Sequence, residues 1–201
     1  MSTLEQLQSL ELSPEYTAFS QASLQSCMDV GAALLKGFLS PESQSNIKEG
    51  IPTTIDIFCR NVPEVGHLFD CLRTINPGIS GVIDSVPQTP PIGEYADLVS
   101  SHIDTDIPRD TVMTLLLPAS GPPAIFAANT TSFNISSDDL EFMQLYEPGD
   151  GMLLRQTVRR LNFEPVILQP IHHAGVSCGN RILAAVDIRI PQNSLNTKIR
   201  L

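Results

Sequence analysis

The stretch VSSHIDTDIPRDTVMTLLL, residues 99–117, governs how the rest of the chain is read. Its second half, from Thr111, is a run of β-branched and aliphatic residues that predicts a buried strand. Its first half places His102 two residues before Asp104. In an extended chain, residues two apart project from the same face, so an imidazole nitrogen and a carboxylate oxygen can converge there.

Downstream, apolar segments of similar length recur: AIFAA, EFMQLY, GMLL, EPVILQPI and RILAAVDIRI. The turn-formers PASGPP, NTTSFNISSDD, EPGDG and AGVSCGN separate them. VDIRI, at 186–190, alternates as a half-buried antiparallel strand does. Many short punctuated strands predict a closed or two-layered antiparallel fold. The fold expected is mainly β with N-terminal helices and a double-stranded β-helix (jelly-roll) core. One domain is expected over 1–201, with 1–98 a helical and strand support and 99–190 the core that carries the metal motifs.

The N-terminal half gives a mixed pattern. Ser13-Pro14-Glu15 reads as a helix start. Leu24, Cys27, Met28, Gly31, Leu34, Leu35 and Phe38 read as one helical stripe broken by SPES at 40–43. TTIDIFC, 53–59, reads as a strand. Leu68, Cys71, Leu72 and Ile75 read as a short helix stopped by NPG. SVPQTPPIGEY, 85–95, reads as a proline-rich loop.

Composition excludes several classes. The chain has 201 residues, enough for one real core, and 42% of them are hydrophobic. With 22 acidic against 12 basic residues, the net charge of −10 repels a phosphate backbone, so no nucleic-acid partner is expected. Tryptophan is absent. No apolar run is long enough for a membrane span, and MSTLEQLQSLEL is neither a signal nor a transit peptide. The four cysteines form no C-x-x-C pair, so a reducing, cytoplasmic location is expected.

Further along, a second histidine stands at a strand end in LQPIHHAGVSCGNRILAAVDIR, residues 168–189, and Arg181 follows His172 by nine residues. Two histidines and one carboxylate make the facial triad of non-haem Fe(II) sites. An arginine inside such a barrel can grip a distal carboxylate bidentately. Adjacent strand residues face opposite ways, so only one of His172 and His173 can serve as a ligand.

The order HID, TLLL, PG at 148–149, HHA and RIL resembles the iron(II)/2-oxoglutarate-dependent oxygenase superfamily, in its isopenicillin-N-synthase-like branch. The resemblance covers about residues 99–190. It implies His102, Asp104 and His172 as Fe(II) ligands and Arg181 as the anchor for 2-oxoglutarate, with His173 beside the site. It also implies O2 and a small organic substrate, an amino acid among the candidates, hydroxylated, desaturated or ring-closed in specialised-metabolite biosynthesis. Leu183 stands where the branch carries the serine of R-x-S, and no N-x-Y motif is present upstream. An Fe(II) oxidase of the same fold that uses no 2-oxoglutarate is therefore a second reading, and a catalytically silent jelly-roll binding protein a third.

Other residues are weighed against these. Arg155 is a candidate for gripping a substrate carboxylate if it faces the barrel interior, while arginine near so many acids is more often a solvated partner. The acids of DTDIPRD fail as a calcium loop, because proline and arginine occupy positions needing turn geometry and glycine. His67, Cys59 and Cys71 read as structural.

Overall fold

The structure is a computed structural model that describes residues 11–12, 15–52, 54–88, 110–121, 124–129, 142–156, 172–176 and 181–190. Two sheets carry the architecture. The larger holds β2 (Glu15–Tyr16), β3 (Ala32–Leu35), β8 (Gly151–Arg155), β5 (Thr111–Ser120), β10 (Arg181–Arg189) and β4 (Ser80–Gln88), in that spatial order. The smaller runs β1 (Glu11–Leu12), β7 (Phe142–Tyr146), β6 (Ala124–Asn129), β9 (His172–Val176). From β5 the chain crosses to the small sheet for β6 and β7 and returns for β8. β9 and β10 then repeat the crossing, β9 beside β6 and β10 beside β5. This winding of one antiparallel ribbon through two sheets is a double-stranded β-helix, and the protein is mainly β with helices from its N-terminal half.

Four helices cover one face of the large sheet: α1 (Gln21–Val30), α2 (Pro41–Glu49), α3 (Ile55–Asn61) and α4 (Pro63–Ile75). Strand alternation sends Ala33, Leu35, Leu153, Leu115, Leu117, Ala184, Val186 and Ile188 into that layer, against Phe58, Phe69 and Leu72. The opposite parity contains Ala32, Leu34, Met152, Leu154, Leu183 and Ala185, all buried and none in the helix-packed core. A sheet buried on both faces is a middle layer, and its second face is the barrel wall.

Local chemistry explains where the helices differ from the sequence pattern. The expected stripe from Leu24 to Phe38 is interrupted. Ser20 and Ser23 form a capping box that starts α1, and Gly31 ends it in the left-handed region at φ 98°. AALL beyond it pairs with β8 as β3. Glu15 lies in β2 rather than at a helix start; Ser13 and Pro14 lie outside the described residues. SPES does not break a helix but begins one: the Ser40 Oγ accepts from the Ser43 N–H at 3.2 Å, and Pro41 fills the first turn.

The strand expected at 53–59 is α3 instead. Ile55, Phe58, Cys59 and Val62 recur at three- and four-residue spacing and pack on the core, whereas Ile57 is exposed. α4 runs through the helix expected around Leu68–Ile75 and ends at Asn76, ahead of the NPG turn. Residues 85–88 of the expected loop are the last turn-ward residues of β4, and 89–95 lie outside the described residues. Among the described residues, no helix is long and apolar enough to cross a membrane.

Candidate functional site

Strand direction locates the barrel end that matters. His102 and Asp104 lie outside the described residues, but their segment leads into Thr111, where β5 begins. β5 runs away from that end, turns at Gly121, and β6 runs back to Asn129, which pairs with His172. The start of β5 and the start of β9 thus belong to one end of the barrel. By alternation His172 shares its register parity with Ala174 and Val176, and across the sheet with Ile125, Ala127, Asn129, Leu145 and Met143. His173 takes the other parity, with Ala128, Phe142 and Gln144.

Arg181 opens β10 opposite Gln88, and its parity is that of Leu183, Ala185, Asp187 and Arg189, the barrel-wall face. Along this face a polar line interrupts the aliphatic side chains. The Gln156 Nε2 donates to the Thr114 Oγ1 at 3.0 Å, and the Thr114 hydroxyl donates to the Asp187 Oδ1 at 2.9 Å. The Arg189 Nη2 lies 3.7 Å from the Asp187 Oδ2. Thr114 and Gln156 are buried. Sequence reasoning missed Gln156, Thr114 and Asp187. The available signal was Asp187 inside an alternating strand, which reads as solvent-facing unless the second face is also covered.

Arg155 has the other parity, alongside Leu153 and opposite Met113, on the face the helices cover. It is buried, and its charge acts on Cys27. Burial pushes the Cys27 thiol up to about 12, with Arg155 opposing the rise. The structure therefore places Arg155 apart from the barrel-wall candidates. His67 and Cys71 meet on the surface of α4, Nε2 to Sγ at 3.7 Å. The PG of residues 148–149 forms a fixed turn: Gly149 sits at φ 98°, and its N–H donates to the Pro118 carbonyl at 2.9 Å. Asp150 clamps this turn by accepting from the Glu147 and Gly37 N–H groups, both at 2.8 Å, and from Lys36 at 3.0 Å.

Two imidazoles and one carboxylate form a donor set suited to Fe(II). Of that set the structure describes His172, which starts β9 at the barrel end where β5 begins; His102 and Asp104 lie outside the described residues. Among the described residues no three His, Cys, Asp or Glu side chains gather.

The sequence matches no protein-family model and no curated protein. Among solved structures, the fold is similar to a viral collagen prolyl hydroxylase from Paramecium bursaria Chlorella virus-1, in complex with 2-oxoglutarate. The identity is 15%, over 83% of this chain and 99% of that one, at a TM-score of 0.49. The ribosomal oxygenase YcfD from Escherichia coli is similar at 16% identity, over 65% of this chain and 29% of that one, with a TM-score of 0.37. An oxidoreductase of the 2OG-Fe(II) oxygenase family from Burkholderia pseudomallei matches over 96% of this chain and 100% of that one, at 10% identity and a TM-score of 0.40. The jelly-roll assignment stands on the strand order described above.

Proposed function

We propose that this chain is a non-haem Fe(II)- and 2-oxoglutarate-dependent oxygenase of a small organic molecule. His102, Asp104 and His172 hold the iron, and Arg181 anchors the distal carboxylate of 2-oxoglutarate. Bound iron supplies O2 activation coupled to oxidative decarboxylation of 2-oxoglutarate. The observation that carries this reading is the register of His172: at the barrel end where β5 begins, on the parity of the aliphatic residues of β6, β7 and β9.

The chain's own residues then bind, orient and exclude water. Arg181 offers a planar two-donor edge to a carboxylate. Leu34, Met152, Leu154, Leu183 and Ala185 line the same wall without exposed surface of any size, which strengthens each charged contact made beside them. His173 is a residue at the site's margin. Hydroxylation, desaturation and ring closure on a small metabolite, an amino acid among the candidates, are all compatible with this wall.

Leu183 favours a second reading. It is buried opposite Pro118, so no hydroxyl reinforces Arg181 two residues along the strand, and an oxidase that draws all its electrons from substrate suits that apolar position. Succinate decides between them. Protein loaded with Fe(II) and given 2-oxoglutarate and O2 releases succinate even without substrate, and Arg181→Ala lowers that release about a hundredfold, the loss of a bidentate charged pair. Oxygen uptake that requires an added organic substrate as the electron source and releases no succinate would assign the oxidase instead.

A further inference from the structure

Arg189 closes β10 at the end of the sheet where β5 begins, eight residues beyond Arg181. At ~3.3 Å per residue the two arginines stand ~26 Å apart along the strand, so one small molecule does not engage both. Arg189 therefore needs a role of its own. Its Nε–H is buried and has no hydrogen-bond partner. Its nearest acid, Asp187, is held at 3.7 Å, beyond hydrogen-bond reach, with one carboxylate oxygen taken by the Thr114 hydroxyl.

A second orphan stands opposite. Thr111 has no exposed surface, and its Oγ1 is also buried without a partner. The two are register partners because of an irregularity: Ile188 pairs with Met113, but Arg189 pairs with Thr111, leaving Val112 as an extra residue. Bulges of this kind re-aim side chains and recur beside binding sites. Val112 stays in the helix-packed core, while the bulge sets a hydroxyl across from a guanidinium. Two buried donors left unpaired are unfavourable, and a native site tolerates them where a ligand satisfies them.

We propose that Arg189 and Thr111 form a binding site for the carboxylate of a small, singly charged organic acid. The Arg189 Nε–H can donate to one carboxylate oxygen and the Thr111 hydroxyl to the other, while Nη2 keeps Asp187. The neighbouring Asp187 carboxylate offsets part of the positive charge, which selects a monoanion over a phosphate dianion. The net charge of −10 excludes large polyanions. Within the oxygenase reading, on which its role in turnover rests, this site holds the substrate's carboxylate at the rim while Arg181 holds the cosubstrate at the other end of β10. The substrate class is then a carboxylic acid.

The test uses the full chain without iron, so it is independent of the metal. The Nε–Hε resonances of 15N-labelled protein are followed during titration with N-acetylglycine, with neutral N-acetylglycine methylamide as the control. The Arg189 signal, identified by its loss in Arg189→Lys, shifts saturably with the acid and not with the amide. Thr111→Val, which keeps the shape and removes the hydroxyl, weakens the apparent Kd about tenfold. No saturable shift, an equal shift with the amide, or an unchanged Kd in Thr111→Val overturns the site. If the acid fails to bind while Fe(II) and 2-oxoglutarate do bind, this proposal falls and the oxygenase reading stands.

Discussion

Cys27 shows how one buried atom group couples to the solvent outside. An exposed thiol ionises near ~8.5, whereas the folded protein holds Cys27 up to about 12 through burial beneath α1. Between those values the unfolded chain has released its proton and the folded chain has kept it, so stability falls as pH rises. Cys59 is also raised by burial and adds to the fall in the same sense. Urea denaturation at several pH values from 8 to 10 checks this. The native protein loses up to ~1.4 kcal/mol per pH unit to Cys27 above its unfolded pKa, and Cys27→Ala flattens the dependence by that amount. At this scale the sequence was readable where residue type alone decides, as for buried cysteine. It was misleading for Asp187, because alternation says which residues share a face and not whether that face meets water.

At the scale of elements, the segment 53–59 carries the lesson. TTIDIFC contains enough β-branched residues to suggest a strand, and local propensity gives no reason to prefer a helix. What decides it is contact with the sheet: Phe58 is fully buried and Ile57 is 44% exposed, the asymmetry a helix produces when one stripe faces a core. Substitution separates the two structures. Phe58→Ala costs about 3–5 kcal/mol in denaturant unfolding, whereas Ile57→Lys costs less than about 0.5 kcal/mol. A large penalty at Ile57 would argue for the strand. SPES was misread for a related reason: serine before proline marks a helix start as readily as a helix stop, and only the Ser40–Ser43 cap distinguishes them.

For the molecule as a whole, the jelly roll was legible because its strands are short and apolar and its turns chemically distinct. VMTLLL, AIFAA, GMLL and most of EFMQLY and RILAAVDIRI became strands, while EPVILQPI lies outside the described residues. The N-terminal half was less legible because β3 and β4 complete the large sheet from far away in sequence, and long-range pairing leaves little local trace. Of the candidate site, His172 and Arg181 have places in the strand order, while His102 and Asp104 lie outside the described residues. The central claim is that these four residues hold one iron and one 2-oxoglutarate, and a single titration addresses it. Fe(II) is added anaerobically with and without 2-oxoglutarate, and visible absorption is followed in the native protein, His172→Ala and Arg181→Ala. The account predicts a weak charge-transfer band that requires both iron and 2-oxoglutarate and is absent from either variant. Absence of iron binding in the native protein, or a band that survives His172→Ala, would contradict it.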